Sequence, residues 1–281
     1  MAEQMEQYSN LVQEILDHGE EREDRTGVGT LAVFGKTMTF KMGHGAGWTL
    51  PLLTLKKTNF DAIAHELLWF LSGDTNIKYL QENNVHIWDE WADDDGELGP
   101  VYGSQWRHWR YPVHEHGDEI SYDEVDQIDK LVRGLKESPH SRRHLVSAWN
   151  VAELSDMALS PCHYAFQCYV SSDGALSMMV HQRSADMLLG VPFNIASYSL
   201  LLHLLSHCCG YRPDKLVYTL GDAHIYLNHV HGALRMLQRQ HRDEPRFHIS
   251  AATKDIFEIT KSDFWISNYN PHPYIPLKVA V

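Results

Sequence analysis

Apolar residues recur at helical spacing near the N-terminus. Met5, Tyr8, Val12 and Ile15, with Leu11 and Leu16 beside them, predict an amphipathic helix over Glu3–His18 that stops at Gly19. The charged, glycine-dotted stretch 20–29 has no period and reads as a loop. The period then changes to two, as Met38, Phe40 and Met42 alternate with Thr39 and Lys41 in a half-buried strand. Segment 59–72 reads as a strongly apolar helix, whereas 93–99 and 114–124 are acidic or His-rich and read as exposed loops. Further on, 144–151, His163–Val170 and 175–183 read as successive strands, followed by a helix over 194–208 and a strand over 215–220. Helices and strands mix without regular βαβ alternation, which predicts an α+β fold with a large mixed β-sheet flanked by helices.

No linker, repeat or low-complexity tract interrupts this pattern, so residues 1–281 read as a single domain. A hydrophobic fraction of 43% with eight Trp supplies a sizeable core and excludes a disordered chain. Lys and Arg number 24 against 37 Asp and Glu, and the resulting net charge of -13 repels a phosphate backbone. RNA binding is therefore not expected as the main role. Cys162, Cys168, Cys208 and Cys209 lack the regular spacing of a disulfide framework and read as reduced thiols. The first seven residues have no signal-peptide pattern, and no apolar run approaches the roughly 20 residues that span a bilayer. The expectation is a cytoplasmic protein with no membrane partner.

Cys162 stands in Ser160-Pro161-Cys162-His163. Free cysteine is among the most buried residue types, so its plain reading is a small core hydrophobe. Pro161, however, cannot donate a ladder hydrogen bond and puts Cys162 at a strand entrance, where a thiolate beside Arg or His can meet a substrate. A metal site shared with His163 and Cys168 is the rival. Six extended residues separate those sulfurs by about 20 Å, too far for one ion. His203 and His207 lie one helical turn apart without a third ligand and read as core or surface histidines, so no metal is expected.

Glu66 flanks the apolar stripe of Ile63, Leu67 and Phe70. It is either a boundary residue reaching for solvent or an acid–base group whose pKa is raised by desolvation. Arg25, Arg142, Arg143 and Arg183 each read as solvated surface groups when taken singly. Together they could build a phosphate pocket, because guanidinium groups bind phosphate oxygens bidentately. In an extended stretch, Asp222, His224 and Tyr226 share one face and offer hydrogen bonds either to sugar hydroxyls or to buried structural partners.

These segments, in this order and over nearly the whole chain, resemble the thymidylate synthase family. The resemblance is carried by Asp24-Arg25-Thr26-Gly27, His65-Glu66-Leu67-Leu68-Trp69-Phe70, Ile87-Trp88-Asp89-Glu90-Trp91, Gly99-Pro100-Val101-Tyr102-Gly103 and Ser141-Arg142-Arg143. It continues through Pro161-Cys162-His163, Gln182-Arg183-Ser184, Asp186, Gly190, Pro192-Phe193-Asn194 and the run from Gly221-Asp222 to Asn228-His229.

The resemblance implies that the Cys162 thiolate adds to C6 of the uracil of dUMP and makes C5 nucleophilic towards the one-carbon unit of 5,10-methylenetetrahydrofolate. It implies that Glu66 organises water and relays protons, that Tyr102 and His163 support removal of the C5 proton, and that the folate returns as hydride donor to give dTMP and dihydrofolate. Asp186 and Asn194 join this catalytic set. Arg25, Arg183 and Ser184 would hold the phosphate together with Arg142 and Arg143 of a partner subunit, which implies a homodimer. Gln182 and Asp186 would belong to the nucleotide site, with Asn194 on the uracil edge and His224 with Tyr226 on the deoxyribose hydroxyl. Trp88, Leu159, Asp186, Gly190 and Phe193 would line the folate pocket. Lys56 would meet the glutamate tail of the reduced folate, and the C-terminal residues through Val281 would close over the site.

Several positions depart from the family pattern: His181 stands where Tyr is expected, Leu55 where Thr is, Leu220 where Gly is, and Tyr164-Ala165 follows the Cys-His pair. His181 shares strand parity with Arg183 and is expected to face the nucleotide pocket. The nearest alternative is a dUMP hydroxymethylase, in which water replaces hydride; Trp88 and the C-terminal segment favour the reductive reaction. A non-catalytic nucleotide- or RNA-binding relative would have lost Cys162 or Glu66, and both are present. Segments 43–47 and 111–124 read as surface loops without an assigned role.

Overall fold

The computed structural model describes residues 3–43, 47–113, 121–250 and 252–279. In chain order its elements are α1 (Glu3–His18), β1 (Glu20–Arg22), β2 (Thr30–Lys41), α2 (Phe60–Ser72), α3 (Lys78–Glu82), α4 (Tyr102–Arg107), β3 (Trp109–Val113) and β4 (Ser121–Val125). Then follow α5 (Gln127–Glu137), β5 (Leu145–Ser147), β6 (His163–Val170), β7 (Ala175–Asp186), α6 (Gly190–Cys209), β8 (Arg212–Tyr226), α7 (Val230–Leu237), β9 (Arg246–Ile249) and β10 (Phe264–Ser267).

Six strands form the main sheet in the order β1-β2-β8-β7-β6-β5. Every pair is antiparallel except β7 and β8, so the sheet is mixed and the fold is α+β. A parallel pair needs a long crossover, and α6 supplies it. That helix is apolar on nearly every side because it lies between β7 and β8 on one flank and α2 and α5 on the other. The inner sheet face presents Met38, Phe40, Leu216, Tyr218, Met178, Val180 and Phe166 to α1 and α6, all buried. On the opposite face Tyr169 is 65% exposed, Leu145 50% and Met179 37%.

Three differences from the sequence reading have physical causes. Residues 20–22 are a strand, not a loop: Glu20 to Arg22 pair with Thr30 to Ala32 at the sheet edge, and their exposed polar side chains leave no apolar period to read. Ser121–Val125 likewise pairs with Trp109–Val113 in a surface hairpin; residues 114–120 of that predicted loop lie outside the described residues, as do 44–46. The strand expected over 144–151 is only Leu145–Ser147, because Asn150 begins a turn closed by its carbonyl and the Glu153 N–H. Conversely, β7, β8 and α6 all run longer than their apolar cores suggested.

Candidate active site

Cys162 immediately precedes β6, opposite Arg183 of β7, whose N–H donates to the Cys162 carbonyl at 2.8 Å. The Arg183 side chain turns back to the same loop. Its Nε donates to Pro161 O and its Nη2 to Ser160 O, each at 2.9 Å, with the guanidinium 5.2 Å from the Trp149 ring centroid. Gly221 of β8 packs closely against the backbone of Arg183, since a Cβ there would meet Arg183 O at 2.8 Å. Burial pushes the Cys162 thiol above its ordinary pKa; Arg183 and then Arg25 oppose the shift, while the Asp186 carboxylate adds to it.

Beneath the thiol lies an aromatic floor. The Tyr102 hydroxyl, brought up by α4, accepts from Cys162 N–H at 2.8 Å, and its ring stacks on His163 at 4.3 Å between centroids. His163 Nδ1 is 2.8 Å from the Tyr198 hydroxyl, and burial lowers its pKa to about 3, so the imidazole is neutral. Burial raises the Tyr198 hydroxyl well above its ordinary value, so it stays protonated. Glu66 comes from the middle of α2, a helix capped by Asn59 and buried along most of its length. The carboxylate does not reach solvent: it is 6% exposed and accepts from Trp88 Nε1 at 2.8 Å. Desolvation raises its pKa to about 7, against the lowering effect of that hydrogen bond.

The third wall comes from the parallel pair. Register sets Ser184 beside Asp222 and Asp186 beside His224. Asp186 Oδ1 accepts from Leu188 N at 2.9 Å and Leu189 N at 3.2 Å, turning the chain into α6, where Asn194 lies one turn after Gly190 on the same face. His224 Nδ1 is 2.9 Å from Asp222 Oδ1, and Asp222 Oδ2 pairs with Arg22 at 3.0 Å. The Tyr226 ring meets His224 edge-on at 5.3 Å. Asp24 folds the Arg25 loop by accepting from Thr26 N–H, the Thr26 hydroxyl and Gly29 N–H. Arg25 is exposed at that turn, close enough to Cys162 and Tyr226 to shift both.

Not every expected residue joins this cluster. Gln182 faces the inner side of the sheet, its amide donating to Ser184 O at 2.8 Å and accepting from the Tyr218 hydroxyl. His181 shares the Arg183 face, but its Nδ1 is 3.0 Å from the Thr219 hydroxyl and its ring tilts on Tyr164, so its contacts are with the sheet face and not with the thiol. Leu55 and Leu220, two departures from the family pattern, are buried core residues. Arg142 and Arg143 are exposed ahead of β5. Leu145 pairs with Gln167 and Cys168 N–H donates to His144 O, so Arg143 sits beside Tyr169, seven residues and about 23 Å along β6 from Cys162. Within one chain neither arginine reaches the thiol.

Lys56 is 4% exposed, without an ion-pair or hydrogen-bond partner among the described residues. Burial lowers its pKa to about 8, partly offset by Asp186. Trp88 is buried, while Leu159, Gly190 and Phe193 are half-buried; Val281 lies outside the described residues. No group of three or more His, Cys, Asp or Glu side chains among the described residues could hold a metal. No described helix is long and apolar enough to cross a membrane. Sequence reasoning missed Tyr198 and Trp149. Tyr198 stands four residues after Asn194 on one helix face, a spacing that could have revealed it.

A nucleophile candidate at a strand entrance, a buried carboxylic acid bonded into the aromatic cluster beneath it and arginines whose charges reach it fit a group-transfer enzyme. Whole-chain similarity narrows that class to one family. The family model described as Thymidylate synthase matches residues 6–281, and the chain belongs to the thymidylate synthase family.

Proposed function

We propose that this chain, as one catalytic domain over 1–281 acting in a cytoplasmic homodimer, converts dUMP to dTMP by reductive methylation with 5,10-methylenetetrahydrofolate, releasing dihydrofolate. The observation that carries the reading is the Cys162 thiol, which feels the charges of Arg183 and Arg25 and whose backbone N–H donates to the Tyr102 hydroxyl, with Glu66 at a pKa of about 7. Burial keeps the resting thiol protonated. The thiol gives its proton to solvent, the two arginines stabilise the resulting thiolate while binding the substrate phosphate with Ser184, and the sulfur then bonds to C6 of the uracil. The pyrimidine electron pair moves towards C5 and O4. Asn194 holds that edge of the ring, its amide having no side-chain hydrogen bond among the described residues. His224 and Tyr226 hold the sugar hydroxyl.

Glu66 is half-protonated near neutrality and can both accept and return a proton, the property a relay requires. His163 is neutral; with Tyr102 it orients the ring and the solvent that removes the C5 proton. The folate, when bound, supplies the one-carbon unit and the hydride. A buried ammonium without an anionic partner fits its glutamate tail, so Lys56 holds that end, while Trp88, Leu159, Asp186, Gly190 and Phe193 line the remainder and Val281 helps exclude water.

Two observations support the homodimer. The outer sheet face carries Tyr169, Leu145 and Met179 exposed, with no helix over it among the described residues, an apolar surface that a second copy would cover. Arg142 and Arg143 open from the edge of that sheet, far from their own Cys162, and complete the phosphate site of the partner. The test is incubation with dUMP and 5,10-methylenetetrahydrofolate, following dihydrofolate by absorbance and the nucleotide by mass spectrometry, with a Cys162→Ala control. Joint appearance of dTMP and dihydrofolate, lost in the control, supports the reading. Hydroxymethyl-dUMP with tetrahydrofolate makes the enzyme a hydroxymethylase, and no turnover points to a binding protein.

A further inference from the structure

The short 3-10 turn Leu227–His229 at the end of β8 joins three separate segments. On its first residue, Leu227 N–H donates to Gly29 O at 3.0 Å, holding the loop that carries Arg25. Just before it is Tyr226. On its last residue, His229 Nε2 is 2.6 Å from Lys278 O, in the C-terminal strap. The strap is gripped elsewhere as well: His272 N–H donates to Thr54 O at 2.8 Å, and Arg239 Nη1 donates to both Leu55 O and Pro273 O beside Lys56. Gly232 of α7 makes room for it, since a Cβ there would meet Leu277 Cδ2 at 2.6 Å. The strap thus runs from the neighbourhood of Lys56 to that of Tyr226.

His229 is 1% exposed, and its chemistry there is specific. A carbonyl can only accept, so Nε2 donates, which leaves Nδ1 as the ring's other polar atom. That nitrogen is buried without a hydrogen-bond partner among the described residues. An apolar side chain would fill the space without stranding a polar atom. The bond to Lys278 is therefore the one described interaction that requires an imidazole. The Tyr226 ring stands edge-on against the same imidazole, with centroids 5.6 Å apart at 78°. Release of the strap would strand both ring nitrogens and free the surface that fixes Tyr226.

We propose that His229 is a positioning residue that latches the C-terminal strap through Lys278 and couples its docking to the Tyr226 and Arg25 side of the nucleotide pocket. The coupling rests on the reading of that pocket as the dUMP site. By reciprocity, nucleotide bound at Tyr226 tightens the strap, and a docked strap tightens nucleotide.

Hydrogen–deuterium exchange of a C-terminal peptide covering 272–279, read with and without dUMP, tests both halves alongside dUMP affinity by calorimetry. In the wild-type chain dUMP slows strap exchange. His229→Ala raises strap exchange about ten-fold and makes it insensitive to dUMP, while KM for dUMP rises several-fold, more than kcat falls. His229→Gln, whose amide can donate to the same carbonyl, restores the response. Gly232→Ala displaces Leu277 without touching the imidazole and is expected to loosen the strap and weaken dUMP together. Unchanged strap exchange in His229→Ala overturns the latch, and a loosened strap with unchanged dUMP affinity in Gly232→Ala overturns the coupling. Wild-type protein that binds no dUMP overturns the underlying reading, and the coupling falls with it.

Discussion

Cys162 and Cys168 belong to one continuous strand region, six residues apart, and differ in nearly everything that decides the chemistry of a thiol. Cys168 is 1% exposed on the inner sheet face, and both influences on it, burial and the neighbouring Cys209, push its thiol far up. Cys162 is half-buried at the strand entrance, where Arg183 and Arg25 oppose the burial that raises it. Burial alone makes an inert thiol, and burial opposed by fixed cations makes one that can ionise on demand. The sequence neighbour that separates the two cases is Pro161, which ends the ladder and opens the strand to the arginines.

The comparison breaks first, and most visibly, in activity. Cys162→Ala should lower dTMP formation by at least about a thousand-fold, with the melting temperature nearly unchanged, because it removes the nucleophile and little packing. Cys168→Ser should keep kcat within a factor of a few and destabilise the fold by about 1–3 kcal/mol, through a buried hydroxyl with no ready partner. Equal loss of activity in both variants would sink the distinction. Next in size is Glu66→Gln, expected to cost about 100-fold in kcat and to remove an apparent ionisation near pH 7 from the rate profile.

Glu66 also makes a prediction of opposite sign for stability. Its folded pKa of about 7 lies above its ordinary 4.5, so the folded state holds the proton longer than the unfolded state does. Stability is therefore unaffected below the unfolded pKa, falls between pH 4.5 and 7, and stays reduced above that range. The difference amounts to about 3 kcal/mol at pH 8. Glu66→Gln, which can still accept from Trp88 N–H, should be more stable than wild type at pH 8 and no more stable at pH 4. Denaturant melts at the two pH values check the sign.

Much of the fold was legible in the sequence because burial leaves a period. The stripes of α1 and α2 and the alternation of β2 follow from one buried face each. The polar strands β1 and β4 left no such trace, since an exposed strand buries nothing on either side. α5 was legible and was passed over: Ile128, Leu131 and Leu135 line one face behind the N-cap Asp126. Within the candidate site, the identities of Cys162, Glu66 and Arg183 could be read, but their convergence could not. Register between distant strands brings Arg183 opposite Cys162 and carries Arg143 away from it. The same register gives a prediction of intermediate size. Arg143→Gln should raise KM for dUMP about ten-fold while leaving kcat nearly intact, as expected for a lost charge-assisted phosphate contact. At dUMP well below KM, mixing it with Cys162→Ala should give heterodimers more active than the Arg143→Gln homodimer, because one site then has both an intact thiol and an intact partner arginine. Activity that never exceeds the weighted parents would remove Arg143 from the partner's site.

The smallest expected effect sharpens the opening contrast most directly. Arg183 opposes the rise in the Cys162 thiol more strongly than Arg25 does, and neither acts on Cys168. Only the thiolate reacts with iodoacetamide, so the alkylation rate at fixed pH follows the thiolate fraction. Arg183→Gln should slow alkylation of Cys162 by roughly three- to ten-fold at pH 8, Arg25→Gln by less, and the double variant by more than either. The Cys168 peptide, followed by mass in the same digest, should remain unmodified in every folded variant. If both arginine variants alkylate at the wild-type rate, the cations do not govern the thiol, and the entrance position alone distinguishes the two cysteines.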